Sequence, residues 1–208
     1  MQDKTRDLWA KQDQHVDDRW HLFRAVGEAV DAERVLYPGC YVDFAPSFVF
    51  QSVTYVDVDR RTPGFFADTA GVLEIIRAHA GAPPDPDVHF VHGDYTDDLE
   101  LPDQGFDLLV SLYAGFISEH CTKQLRIGGT LLVNSSHGDA AMASIDPRLT
   151  LTGVVVSRSG TYRVRTDDLE GHLVPKEPVD VTVDLLHERG RGIGYTKSPF
   201  AYLFERTD

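Results

Sequence analysis

The chain has 208 residues, of which 42% are hydrophobic and 25% are charged, and this size and composition favour one globular domain with a substantial core. Its formal net charge of −13 at pH 7 disfavours a polyphosphate ligand, so we expect no nucleic-acid partner. No apolar run approaches the roughly 18 residues needed to cross a bilayer, so we expect no membrane partner either.

The N-terminus and the cysteines bear on location. The first 18 residues are charged and contain no apolar core of the signal-peptide type, so export is not expected. The two cysteines, Cys40 and Cys121, cannot make a disulfide framework, which is typical of a reducing compartment. We therefore expect a cytoplasmic protein.

A helical stripe of apolar residues dominates the N-terminal segment, residues 1–33. The stripe has intervals of three, four or seven residues and consists of Trp9, Val16, Trp20, Phe23, Val26 and Val30. This spacing predicts one or two helices between about Asp7 and Val30. We expect the segment to pack on the same domain as the rest of the chain, either covering a sheet edge or capping a substrate.

Two short apolar runs follow, and the second ends in a carboxylate. The first apolar run, residues 35–37, ends at Pro38-Gly39. The second, a β-branched run at residues 53–56, is followed by Asp57. A strand, a tight turn, a very short helix and a second strand that ends in an acid are typical of the start of a dinucleotide-type βαβ unit. At such a place Asp57 could accept hydrogen bonds from both hydroxyls of a ribose.

The middle of the chain alternates between helix and strand patterns. The predicted elements are helices over 64–80 and 114–126 and strands over 88–91, 106–111 and 130–134. The strand at 88–91 leads to Asp94, a second carboxylate at a strand end. Strands and helices that alternate with short connections predict a doubly wound, mostly parallel sheet, because right-handed crossovers place the helices on both faces of such a sheet.

The C-terminal part changes character. The predicted elements are strands over 149–156, 161–166 and 200–204 and a helix over 179–189. The late strands indicate a mixed sheet, with a β-rich insertion at about 157–178. We therefore predict an α/β fold, with residues 34–208 forming the sheet-containing domain.

The order of these elements resembles the seven-stranded, Rossmann-like S-adenosylmethionine-dependent methyltransferase fold over about Arg34 to Arg206. The matching segments are VLYPGC, VTYVDVD, VHFVHGDY, FDLLVSLYAG and LRIGGTLLVN, and AYLFER is similar to the terminal antiparallel strand. The resemblance implies a sheet that ends in an antiparallel strand and S-adenosylmethionine as the cofactor.

The resemblance also implies a set of cofactor contacts at the strand ends. These contacts are Gly39 with the methionine part, Asp57 with the ribose hydroxyls, Asp94 with the adenine amino group, and Tyr95 beside the adenine ring. Ser111, together with Leu112 and Tyr113, would line the floor where methyl donor and acceptor meet.

The first turn departs from the family's pattern of alternating glycines. Only Gly39 stands where a glycine is expected, and Tyr41 and Asp43 occupy the other glycine places. A tyrosine ring there either blocks the pocket or moves the loop, so Tyr41 belongs to the predicted cofactor site. Asp43 places a negative charge near the cofactor's carboxylate, or it pairs with the ammonium or sulfonium centre.

The resemblance implies methyl transfer, and the acidic surface favours a small-molecule acceptor over DNA bases. Tyr113 and His137, which follow the fourth and fifth predicted strands, are the candidate general bases. An alternative is a domain that kept the fold and lost the chemistry and serves as a binding or assembly module, which Tyr41 and Asp43 favour. A nicotinamide-dependent oxidoreductase is a third possibility, which the lack of G-x-G-x-x-G in the first turn disfavours.

No metal site is predicted from the histidines. His89, His92 and Asp94 form the pattern H-x-x-H-x-D. Residues on a strand alternate between its faces, so the two histidines are expected to point in opposite directions.

Overall fold

The structure is a computed structural model that describes residues 1–14 and 18–208. The strands within these residues form one eight-stranded sheet. They are β1 (Arg34–Pro38), β2 (Ser52–Asp57), β3 (Asp87–His92), β4 (Phe106–Ser111), β5 (Leu125–Val133), β6 (Leu149–Arg158), β7 (Thr161–Arg165) and β8 (Ala201–Arg206). The strand order in the sheet is β3-β2-β1-β4-β5-β8-β6-β7.

The helices are short and lie between the strands or before them. They are α1 (Asp3–Gln12), α2 (Asp18–Gly27), α3 (Thr62–Phe66), α4 (Thr69–Ala78), α5 (Ile117–Cys121), α6 (Asp139–Ile145) and α7 (Val183–Arg189). Short 3-10 helices occupy Ala45–Phe48, Thr122–Gln124, Ser136–Gly138 and Glu170–Leu173. In the described residues, no helix combines the length and the apolar character of a membrane span.

The strands that follow β1 in the sequence lie on both sides of it in the sheet. The chain first adds β2 and β3 on one side of β1, and then adds β4 and β5 on the other side, all in parallel. β8 runs antiparallel between β5 and β6, and β7 pairs with β6 in an antiparallel hairpin. This topology confirms the predicted doubly wound, mostly parallel sheet with an antiparallel terminal strand. It also creates a switch point between β1 and β4, where ligands of such sheets bind.

The central strands are buried on both faces, as the crossover helices require. Adjacent residues of β1 show this, because Val35 belongs to one apolar cluster and Leu36 to the other, and both are fully buried. Leu22 and Phe23 of α2 lie in the same cluster as Val35. The predicted N-terminal helices are therefore present as α1 and α2, and Val16 of the predicted stripe lies outside the described residues.

Three of the predicted helices have other boundaries in the structure. The helix predicted over 179–189 begins only at Val183, as α7. The segment predicted as one helix over 64–80 is split into α3 and α4, because Asp68 interrupts it and accepts a hydrogen bond from the Gly71 N–H (3.2 Å). The helix predicted over 114–126 ends as α5 and a 3-10 turn. Leu125 instead begins β5, where it is fully buried and pairs with Phe106. Burial of Leu125 in the sheet therefore outweighs the helical pattern of this segment.

Candidate functional site

The turn after β1 lies at the switch point and packs against the loop that follows β4. Gly39 has a φ of +66°, and a Cβ placed on it would lie 2.6 Å from the Cβ of Ala114. Both the left-handed conformation and this close approach favour glycine. The two loops that border the predicted methionine site are therefore in direct contact.

Asp57 ties this turn to the end of β2. Its Oδ2 accepts a hydrogen bond from the Tyr41 N–H (2.6 Å), and its Oδ1 accepts one from the Asp59 N–H (2.7 Å). The side chain is only 9% exposed. Each carboxylate oxygen can accept a second hydrogen bond, so Asp57 keeps acceptor capacity while it fixes the turn.

Tyr41 has an unusual conformation beside Asp57. Its φ of +51° lies in the left-handed region, which costs a residue with a side chain about 1 kcal/mol. The Arg61 guanidinium carbon lies 4.7 Å from the centre of the Tyr41 ring. Arg61 is held in turn by Asp59, which accepts from Nε at 2.8 Å and from Nη2 at 2.7 Å. Tyr41 and Arg61 together form a cover, here called the Tyr41–Arg61 cover, next to the end of β2.

Asp43 lies inside the fold instead of facing a ligand. It is 1% exposed, and its Oδ2 lies 3.2 Å from both the Arg19 Nε and the Tyr37 hydroxyl. Its Oδ1 accepts from the Ala45 N–H (3.2 Å). Burial raises the pKa of Asp43, and Arg19 and the two hydrogen bonds oppose that rise. The expectation that this charge faces the cofactor was wrong, because Arg19 of α2 neutralises it.

Asp94 has a different environment at the end of β3. Its Oδ1 accepts from both the N–H (2.9 Å) and the hydroxyl (2.8 Å) of Thr96. These hydrogen bonds lower the pKa of Asp94. Within the described residues its Oδ2 has no hydrogen-bond partner, so this oxygen can accept from a ligand. The adjacent Tyr95 is half-buried, and its hydroxyl contacts Gly115, in the loop after β4.

The Ser111 hydroxyl lies under the carboxyl edge of the sheet. It donates to Asp139 of α6, which also accepts from the Ser118 N–H (3.1 Å) and the Ser118 hydroxyl (2.5 Å). Asp139 is 1% exposed. Burial raises the pKa of Asp139 to about 6 although these hydrogen bonds oppose the rise. We did not identify Asp139 from the sequence, where the available signal was an acid followed by the helix-forming run Ala140–Ala143.

The two candidate bases lie on loops that Asn134 holds. Tyr113 is 54% exposed with a φ of +59°, and its N–H donates to the Asn134 Oδ1 (3.3 Å). The same oxygen accepts from the Ser136 N–H (3.2 Å), and the Ser136 hydroxyl lies 2.7 Å from Nδ1 of the exposed His137. Asn134, another residue missed at the sequence level, thus positions both loops at the ends of β4 and β5.

The histidines of β3 bond to the protein itself. His89 Nε2 lies 3.0 Å from Asp87, and His92 Nε2 lies 3.2 Å from the Val58 carbonyl oxygen. Over residues 1–14 and 18–208, no three His, Cys, Asp or Glu side chains are grouped so as to hold a metal ion.

The structure brings the site residues predicted from the sequence together in three groups. Gly39, Tyr41 and Asp57 form one hydrogen-bonded unit at the ends of β1 and β2. Asp94 and Tyr95 follow β3, whose last residue is in register with Asp57. Tyr113, His137 and the buried Ser111 lie with the ends of β4 and β5. All of them are therefore at or beneath the carboxyl edge of the sheet.

Comparisons with known proteins bear on the fold. No protein-family model and no curated protein matches the sequence. The 16S rRNA methylase RmtB has a similar structure, with a TM-score of 0.51 and 12% identity over 95% of this chain and 65% of that one. A methyltransferase from Geobacter sulfurreducens gives a TM-score of 0.49 and 13% identity over 74% of this chain and 85% of that chain.

An rRNA methylase from Streptococcus thermophilus gives a TM-score of 0.46 and 10% identity over 89% of this chain and 94% of that chain. The chain spans less than two thirds of the length of RmtB, at 65%. Identities this low support a similarity of fold and nothing more. The likeness to RmtB concerns the fold. In this chain β8 lies antiparallel between β5 and β6. The chain has the Rossmann-like methyltransferase fold that its sequence predicted.

Proposed function

We propose that the chain is an S-adenosylmethionine-dependent methyltransferase that acts on a small molecule. The observation that supports this function most strongly is the placement of two acids, Asp57 and Asp94, after the adjacent strands β2 and β3 at the carboxyl edge of the sheet. Ligands of doubly wound sheets bind at this edge, next to the switch point.

The residues at this edge fit the adenosyl half of the cofactor. Asp57 has acceptor capacity left for ribose hydroxyls, and the Oδ2 of Asp94 is available to an amino group such as that of adenine. The lowered pKa of Asp94 is consistent with an ionised carboxylate at neutral pH, which makes a stronger acceptor than a neutral group. Tyr95 places an aromatic ring beside this position, and Gly39 allows the backbone to approach the ligand closely.

The bound cofactor supplies an activated methyl group, and this chain's part is to bind, orient and exclude water. We propose Ser111 as part of the floor through its backbone, since its hydroxyl is bonded to Asp139. Tyr113 and His137 are the candidate bases. A base is needed only for an acceptor that carries a proton, and it must reach that proton within hydrogen-bond distance.

A small-molecule acceptor fits the charge of the chain better than RNA does. The name of RmtB records 16S rRNA as the substrate of that protein. A formal net charge of −13 would repel such a polyanion here. We also propose a cytoplasmic location, because Cys40 and Cys121 are both buried, unpaired thiols.

Calorimetric titration with S-adenosylmethionine and S-adenosylhomocysteine tests the proposal. We expect binding by the parent chain and a loss of about 1–2 kcal/mol of binding free energy in Asp94→Ala, because one charged acceptor is removed. The matched control is Asp97→Ala, a neighbour that carries the same charge and is more exposed, which should bind as the parent does. Absence of both heat and thermal stabilisation at about 1 mM ligand would contradict the proposal.

The second candidate is a module that kept the fold and lost the chemistry. It is favoured by the observation that Asp57 already accepts from the Tyr41 N–H, beside the Tyr41–Arg61 cover. In that case neither nucleoside ligand binds, and Tyr41→Gly does not restore binding. The same titrations therefore separate the two candidates.

A further inference from the structure

The hairpin of β6 and β7 forms the edge of the sheet opposite to β3. Its two-residue turn is Ser159-Gly160, with φ values of +51° and +74°, as a type I′ turn requires. The register pairs Arg158 with Thr161, Val156 with Arg163 and Val154 with Arg165. Paired residues share a face of the sheet, so the side chains of all six lie on one face of the hairpin.

This face, here called the arginine face, carries positive charge that the protein does not neutralise. The side chains of Arg158 and Arg163 are exposed, and neither guanidinium has a hydrogen bond or ion pair within the described residues. Arg165 is paired with Asp167, which accepts from Nε at 3.1 Å and from Nη2 at 2.7 Å. A cavity of about 670 Å³ lies against these arginines and Val156. The two free cations, Arg158 and Arg163, contrast with the net charge of −13.

β7 is also an edge strand with open backbone groups. The two-residue turn makes Arg158 and Thr161 a hydrogen-bonded pair, so by alternation the N–H and C=O groups of Tyr162 and Val164 point away from β6. No described residue bonds to them. The strand is held firmly, because Tyr162 is 8% exposed and its hydroxyl donates to Asp18 of α2 at 3.0 Å.

We propose that β7 is a docking site for an acidic segment of a partner protein, which pairs with it as an additional strand. Main-chain hydrogen bonds would hold such a segment, and side chains at every second position would contact the arginine face. Alternate residues on a strand are about 6.6–6.8 Å apart. An acidic residue of the segment therefore faces the free guanidinium of Arg163, with Arg158 beside it. The next acidic residue on the same face lies near Arg165, which Asp167 already contacts. This surface is independent of the proposed methyl transfer.

The charges argue against two other occupants. An antiparallel pair of two β7 strands centred on Arg163 would place like charges directly opposite each other, which is destabilising. A second copy of this chain is therefore disfavoured. A nucleic acid cannot use the open N–H and C=O groups as a strand does, and it would meet an acidic surface beyond the arginine face.

Fluorescence anisotropy with a labelled peptide that alternates glutamate and valine tests the proposal. We expect the parent chain to bind it and the double variant Arg158→Gln/Arg163→Gln to bind about tenfold more weakly. The matched control is Arg77→Gln/Arg189→Gln, which removes the same charge from two exposed arginines elsewhere and should leave binding unchanged. All four substitutions are at exposed positions, so the variants should remain folded.

Two further probes separate backbone pairing from charge alone. A peptide of the same sequence with N-methylated amides along one edge keeps its charge but cannot pair, and it should bind about tenfold more weakly. Equal affinity for that peptide, or for one that alternates glutamine and valine, would overturn the proposal. Tighter binding of a labelled oligouridylate than of the peptide would also overturn the proposal. Absence of peptide binding at about 1 mM would overturn it too, and would indicate that the arginines only protect an edge strand from pairing.

Discussion

The end of β2 and the end of β3 each present an acid at the carboxyl edge of the sheet, but the protein uses these two acids differently. Asp57 is nearly buried and accepts backbone hydrogen bonds through both oxygens. Asp94 accepts from Thr96 through one oxygen and leaves the other open. The proposed adenine end of the site is therefore prepared for a ligand, while the turn end is already bonded within the chain.

The first turn shows which internal contacts hold the residues at its end of the site. Where the family places glycines, this chain places Tyr41, which lies under Arg61, and Asp43, which is paired with Arg19. Both side chains are satisfied by groups from elsewhere in the chain. The comparison indicates that the turn is a structural unit stabilised by contacts within the chain.

The largest effect is expected on the turn side. Asp43→Ala should lower the free energy of unfolding by roughly 3 kcal/mol, because it leaves the Arg19 guanidinium without its buried counter-charge. Urea denaturation measures the change. The control Asp59→Ala breaks the solvent-screened pair with Arg61 and should cost much less. Equal losses would show that burial of the Asp43 pair is not what stabilises the turn.

A second large effect concerns the buried layer beneath β4. The pKa of Asp139 is raised to about 6 by burial, above its unfolded value of about 3.9. Protonation therefore favours the folded state, and this stability is present below about pH 4 and is lost as the pH rises through 6. Relative to Asp139→Asn, which cannot ionise, the parent should lose roughly 3 kcal/mol between about pH 4 and pH 7. Urea unfolding at several pH values measures both chains, and parallel curves would contradict the prediction.

A smaller effect is expected where the loops after β1 and β4 touch. Gly39→Ala should cost about 2–3 kcal/mol, since it adds a left-handed strain and a contact with Ala114. Gly160→Ala is the matched control, because Gly160 also has a positive φ but no atom within 4 Å of a Cβ, and about 1 kcal/mol is expected there. Thermal or urea unfolding of both variants gives the difference. If the two losses are the same, the loops are not in tight contact.

The smallest effect on stability should come from Tyr41→Gly. The glycine relieves the strain of the positive φ and removes the contact with Arg61, so the net change should be below about 1 kcal/mol. Affinity for S-adenosylhomocysteine should rise about fivefold, because the Tyr41–Arg61 cover is opened. Calorimetry and urea unfolding measure the two quantities. An unchanged affinity would show that the Tyr41 ring points away from the ligand.

Local sequence patterns were sufficient to predict the parallel part of the fold. The apolar runs that became β1, β2, β3 and β4 are short and bounded by turns, and these are local properties. The boundary between α5 and β5 was not predictable in this way. Leu125 enters the sheet because it pairs with Phe106, a contact that appears only when distant parts of the chain come together.

The site shows the same limit. Strand-end acids such as Asp57 and Asp94 are visible in the sequence because they terminate apolar runs. The partners of Asp43 and Ser111 are not visible in the sequence. Arg19 reaches Asp43 from α2, and Asp139 reaches Ser111 from α6. These long-range contacts bring together side chains with no shared local pattern.

A crystal structure of the chain soaked with S-adenosylhomocysteine tests the central claim most directly. We expect density for the adenosyl group across the ends of β2 and β3, with its ribose hydroxyls within hydrogen-bond distance of Asp57 and its amino group near the Oδ2 of Asp94. Density at another place, or a carboxyl edge filled by Tyr41 and Tyr95 at saturating ligand, would contradict the claim.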